Sequence, residues 1–418
     1  MNIEKLTIKL NRKIQITLIL LSIISITLFS YAEARFPFPQ AVDFSHMIKP
    51  SHVSQSNMNS DCQKAYDAWL NDWVTDKGCF SGTKRVHVGN DTGGFLTAYD
   101  TVSEGIAWGM IILVFMENSQ NKTKKYFDEI NSYRKKYLDQ FGMMHWRIDK
   151  EGNVIGKGGA TEADENMAMA LLLAHYQWGS TEKNNYFEEA KTLIQGIMDC
   201  EIEHPGNVVK PGDTWGGSAV CNPCYFSPAY YEIWSKLTRE KGWEKVKSRS
   251  YEILNIFYEE KQQPLFPDWC QADGSKAGNL DYYYGYNACQ IPLKIGMDYC
   301  WSGEPETNKA YEILDRIAYW FKEKTAGEAK NLVDGYEIDG SRKGQWNNAC
   351  FVGPIGVASQ CSINHQEWCN ALYDVLRSYP DSCEKCYYCN TLRLVSMLLM
   401  SGNMPNFIQQ KKAPKQEK

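Results

Sequence analysis

Four things are scarce in this sequence of 418 residues, and each absence narrows what the protein can be. Positive charge is not in excess: 45 Lys and Arg face 50 Asp and Glu, for a net charge of −5. That argues against a polyanion such as nucleic acid as the natural partner. After residue 34, no apolar stretch is long enough to cross a bilayer. No Pro/Ser-rich linker or break in composition divides the chain, so one large domain is the simplest organisation. Strand signals are short and scattered, as at 86–88 and 144–148, which argues against a sheet-based fold.

What is present begins with a leader-like segment. Lys5, Lys9, Arg12 and Lys13 give a basic start, 14–29 is an apolar run, and Ala32-Glu33-Ala34 is a small-x-small cleavage pattern. Residues 1–34 are therefore expected to be a signal peptide, with a secreted mature chain beginning at Arg35. The alternative is an uncleaved membrane anchor, but the run is short for a span. The 14 cysteines are an even number, and an exported chain would pair most of them. Cys383, Cys386 and Cys389 form the densest group, and Cys221 with Cys224 forms a second close pair. Two CxxC spacings could instead supply four thiolates to zinc; the leader favours disulfides. Asn90-Asp91-Thr92 and Asn121-Lys122-Thr123 fit the N-glycosylation pattern.

Helical periodicity dominates the rest. Segments 61–73, 104–116, 165–178, 187–200, 227–237, 243–258, 290–299, 307–324, 365–378 and 391–401 are expected to be helices. Two of them, IAWGMIILVFM and MAMALLLAHYQW, are apolar nearly all round, the mark of a buried helix. An all-α enzyme with its site in the loops is the expected class. The loops are rich in Gly, Asp, Asn and aromatics, and 13 Trp, 25 Tyr and 16 Phe exceed what a core needs. Such a surplus suits a surface that stacks against sugar rings.

Acidic residues open both buried helices. Glu104, in Thr101-Val102-Ser103-Glu104-Gly105, would be partly desolvated and so held protonated as a general acid. A bland alternative is a glutamate complementing the helix dipole. In Ala160-Thr161-Glu162-Ala163-Asp164-Glu165-Asn166, Thr161 can cap the helix and Asp164 can complement its N-terminus. Capping leaves some of these polar groups unexplained.

The run ATEADENMAMALLLAHYQW closely resembles the signature of glycoside hydrolase family 8, with Glu162 where the signature has Asp. VSEGIAWGM, GMMHWRI, GDTWGG, NPCYFSPAYY, LFPDWC, YYYGYNACQIP, NACFVGPIGVA and NTLRLVSMLLMSGNMP are also similar to family segments, in family order, over roughly residues 60–405. The resemblance implies an (α/α)6 barrel with a long cleft over one end. It also implies inverting hydrolysis of a β-linked polysaccharide by two carboxyls and water, with no metal or cofactor. By resemblance Glu104 is the general acid and Glu162 positions the central sugar. Trp146, Trp215 and Tyr225 line the cleft, and Tyr286, Asn287 and Asp164 join the substrate-binding set. Many members carry Tyr-Asp-Ala at Tyr286-Asn287-Ala288, and that Asp is the general base. Asn287 cannot serve, because an amide has no useful basicity; the Arg that commonly follows is Gln290. Asp281 is the leading substitute, ahead of Asp268, Asp273 and Glu162.

The domains are then a signal peptide (1–34), an extended arm (35–58) carrying Pro37, Pro39 and Pro50, a catalytic domain (59–408) and a polar tail (409–418). The expected function is a secreted, monomeric, endo-acting hydrolase of β-1,4-glucan or mixed-linkage β-glucan. Xylanase and chitosanase are the alternatives within the family. A carbohydrate-binding protein that has lost catalysis is the alternative outside that class.

Overall fold

A computed structural model describes residues 34–260, 265–302, 309–383 and 385–410. The leader segment before Ala34 and residues 411–418 of the tail lie outside the described residues. Among the described residues twelve α-helices carry the fold: α1 (Gln55–Trp73), α2 (Ser103–Phe115), α3 (Lys124–Arg134), α4 (Thr161–Trp178), α5 (Tyr186–Cys200), α6 (Pro228–Thr238), α7 (Gly242–Asn255), α8 (Ile291–Ser302), α9 (Lys309–Lys324), α10 (Ala349–Ser359), α11 (Gln366–Ser378) and α12 (Tyr387–Met400). Among the described residues no helix is long and apolar enough to cross a membrane.

Burial sorts the helices into two layers. Helices α2, α4, α8, α10 and α12 are buried on nearly every side, as an inner position demands. Helices α1, α3, α5, α7, α9 and α11 bury one stripe each and form the outer layer. The inner ring runs α2, α4, α6, α8, α10, α12 and back to α2. At the α4–α6 step, Tyr230 Oη donates to Asn166 Oδ1 at 3.0 Å and Tyr231 Oη to Glu165 Oε1 at 2.6 Å. This is an (α/α)6 barrel.

The arm closes one end of the ring. Phe36 and Phe38 are buried. Arm N–H groups donate to carbonyls just past the C-termini of inner helices: Phe38 to Glu117 at 2.8 Å, Val42 to Gly402 at 2.9 Å and Ile48 to Gln360 at 2.9 Å. Carbonyls that follow the helices at that end are thereby satisfied. The arm is shorter than the expected 35–58, because Ser54 caps α1 and starts it at Gln55.

Two helices had no counterpart in the sequence reading. Helix α3 is short and polar (KKYFDEINSYR). Helix α10 contains Gly353, Pro354 and Gly356, residues that normally weaken a helix. Packing overrides propensity there: a Cβ on Gly353 would lie 2.6 Å from Ser396 Oγ, and one on Gly356 2.8 Å from Met400 Sδ. Glycine lets α10 approach α12. Thr161 does not cap α4 as expected; Ala160 holds the cap position without a side-chain bond, and Thr161 is already helical.

Among the described residues nine strands of two or three residues decorate the loops. The one that matters for the site is β3 (Thr101–Val102), which pairs antiparallel with β4 (Arg147–Ile148) immediately before α2. Disulfides join Cys350 to Cys389 and Cys383 to Cys386, which removes Cys383 and Cys386 from the zinc alternative.

Candidate active site

The end of the ring opposite the arm gathers the N-termini of the inner helices: Glu104 on α2, Glu162 on α4, Tyr225 just before α6, Asn287 just before α8, Asn348 capping α10 and Tyr387 on α12. Each terminus brings N–H groups without helical partners and a positive dipole end, so the site favours carboxylates and hydroxyls.

Glu104 sits in the first turn of α2. The β3–β4 pairing fixes its approach, and Ser103 N–H donates to Trp146 O at 2.9 Å, so the acid and Trp146 are held together. Tyr387 Oη donates to Glu104 Oε1 at 3.4 Å. Burial, reinforced by the charge of Glu162, pushes the Glu104 carboxyl up to about 8. A carboxyl in that state keeps a proton it can donate near neutral pH.

Glu162 is 4% exposed. Burial raises its pKa, and the Lys294 ammonium, 3.7 Å from its Oε1, pulls the other way. Gln290 Nε2 donates to its Oε2 at 3.5 Å. Lys294 is itself buried inside α8, bonded to Asn166 Oδ1 at 3.0 Å and lying 5.0 Å from the centre of the Trp108 ring. A lone lysine in IPLKIGMDYCW was the signal that could have marked it, since a buried cation needs a partner.

The aromatic positions lie on the loops that lead into the inner helices. Trp215 is 47% exposed, and its ring lies 5.7 Å from that of Trp269. Tyr225 meets the same Trp269 at 6.4 Å. Tyr286 is 44% exposed and donates to Asp334 Oδ2 at 2.8 Å. Asp334 Oδ1 accepts from Trp346 N–H at 2.9 Å, which presents the Trp346 ring to solvent. Trp269, Trp346, Tyr387 and Asp334 were missed in the sequence. Trp269 alone had a signal, as the neighbour of Asp268 in LFPDWC.

The two remaining acids differ from expectation. Asp164, placed in the substrate-binding set, is fully buried, and its Oδ1 accepts from Met144 N–H at 3.1 Å. It anchors the loop that carries Trp146, and burial pushes its carboxyl up to about 8. Asp281 is exposed, and its carbonyl accepts from Trp269 N–H at 3.0 Å. Asp268, by contrast, is 3% exposed and lies against Asn287. Its Oδ1 accepts from the N–H groups of Gly285 (3.1 Å), Asn287 (3.0 Å) and Ala288 (2.7 Å). A Cβ at Gly285 would collide with Oδ2, so glycine is required there. Burial pushes the Asp268 carboxyl up to about 6, against the pull of those three N–H donors.

The family model described as glycosyl hydrolases family 8 matches residues 38–402. The chain belongs to that family. It is 35% identical to endoglucanase A of Acetivibrio thermocellus over 84% of this chain and 71% of that protein. It is also 35% identical to endoglucanase C of Ruminiclostridium cellulolyticum, over 94% and 82%. Among solved structures, the apo β-1,3-1,4-glucanase from Paenibacillus sp. X4 superposes with a TM-score of 0.80 at 28% identity, covering 88% of this chain and 98% of that one. The family 8 chain is thus a glycoside hydrolase acting on polysaccharide, with its acids and exposed aromatics at the N-terminal end of the inner ring.

Proposed function

We propose that this hydrolase cuts β-1,4-linked glucan or mixed-linkage β-glucan internally, with inversion, after export from the cell. The observation that carries this reading is a proton-holding Glu104 and a second carboxyl beside Asn287, with Trp146, Trp215, Tyr225 and Tyr286 on the loops at the same end of the ring. The names of the endoglucanase and β-1,3-1,4-glucanase relatives support the substrate class. The leader-like sequence of residues 1–34 supports export.

In this reading Glu104 gives its proton to the glycosidic oxygen as the bond to the anomeric carbon breaks. Glu162, held by Lys294 and Gln290, accepts hydroxyls of the sugar at that point. A water attacks the anomeric carbon from the opposite face, and a carboxylate takes its proton. Burial and contact with Asn287 favour Asp268 over Asp281 for that last role. The Trp and Tyr faces stack on pyranose rings to either side.

The test is a reducing-sugar assay on barley β-glucan, carboxymethylcellulose, xylan and chitosan, with early products followed by NMR. We expect turnover on the first two and α-anomer at the new reducing end. Preference for xylan or chitosan would move the substrate, initial β-anomer would end the inverting mechanism, and binding without turnover would make the protein a carbohydrate-binding one.

A further inference from the structure

Cys221 and Cys270 lie opposite each other in an isolated antiparallel bridge. Cys221 N–H donates to Cys270 O at 2.8 Å, and Cys270 N–H returns the bond to Cys221 O at 3.0 Å. Their sulfur atoms are 3.7 Å apart and both residues are fully buried. Cys224 is the cysteine nearest to Cys221 in the sequence. The fold turns Cys224 away into a 3-10 turn, where its N–H is held by Asn222 Oδ1 at 3.1 Å.

We propose that Cys221 and Cys270 are a covalent modification site, forming a disulfide that staples the aromatic side of the active site. The bridge joins the segment carrying Trp215 and Tyr225 to the one carrying Asp268 and Trp269. The backbone ladder already sets the register, so bond formation needs only side-chain rotation. The oxidant is a low-molecular-weight disulfide such as oxidised glutathione. One cysteine thiolate attacks it and releases one thiol. The second cysteine then attacks the mixed disulfide and releases the other. Two thiols are oxidised, one external disulfide is reduced, and the two protons leave on the released thiols. Because both sulfurs are buried, exchange occurs while the segments dock rather than afterwards.

The cross-link closes a span of 49 residues. Its loss should lower Tm by about 3–10 °C, since a bridge of this span restricts the unfolded chain. It should also hold Trp215 against Trp269, so the reduced protein would bind glucan oligosaccharides more weakly at nearly constant kcat.

The experiment uses the full chain, refolded with oxidised glutathione, alkylated under denaturing conditions without reductant, and mapped by mass spectrometry. We expect the Cys270 peptide to be linked to the peptide containing Cys221. The link should persist in Cys224→Ser and vanish in Cys221→Ser. An alkylated Cys270 in the oxidised wild type, or a link that survives Cys221→Ser, would overturn the proposal. The wild-type map needs no variant to fold. The KM effect rests on the glycanase reading, whereas the thiol map does not, so the two can fail separately.

Discussion

The N–H of Asn287 donates to Asp268 Oδ1 at 3.0 Å. The residue that stands where family members commonly carry the general base is therefore tied through its backbone to a buried carboxylate 19 residues earlier. A basic group is absent from the side chain and present beside it. The most informative substitutions are at this pair and at Glu104.

Glu104→Gln should lower kcat about 10²–10⁴-fold, the usual contribution of a positioned acid, and leave oligosaccharide affinity close to wild type. The change removes a proton donor at nearly constant volume. Stability should respond in a definite direction. The folded pKa of about 8 lies above the ordinary value of 4.5. The wild type therefore loses stability relative to the variant as pH rises from about 4.5 through 8. Steady-state kinetics with thermal melts at pH 5 and pH 9 checks both. Near-wild-type kcat would remove Glu104 from the acid role.

Asp268→Asn should remove most of the turnover, while Asp281→Asn should keep most of it, because Asp281 is exposed and Asp268 is buried against Asn287. Loss of the Asp268 carboxylate also weakens the hold on three N–H groups, so turnover alone does not separate chemistry from support. Azide does: with a substrate whose leaving group needs little protonation, it should restore activity to Asp268→Asn and not to Glu104→Gln, yielding a glycosyl azide. If Asp281→Asn is the inactive one, and azide restores it, the base is Asp281.

The pH profile of kcat/KM should be a bell. Asp268 must be ionised, so activity falls as pH drops below about 6. Glu104 must be protonated, so activity falls as pH rises above about 8. The optimum then lies near pH 7, midway between the two values. In Asp268→Asn the acid limb should disappear from the residual activity. An acid limb unchanged in that variant would assign it to another group.

The sequence by itself determined the fold class, the order of the segments and the identity of the acids that open α2 and α4. Helices buried on all sides leave a signal that needs no partner to read: IAWGMIILVFM has no polar face to give water. The absence of a base at Asn287 was equally legible, because an amide lacks basicity in any fold. Tertiary structure decided what depends on distance between segments far apart in the chain. It placed Asp268 against Asn287 and left Asp281 in solvent. It buried Asp164 under Met144 and set Lys294 beside Glu162. It turned Cys221 toward Cys270 rather than Cys224. It also made a helix of Gly353-Pro354-Ile355-Gly356, where local propensity argues against one, because only glycine lets α10 lie so close to α12. In each case the deciding quantity is burial or a contact across many residues, and spacing along a sequence carries neither.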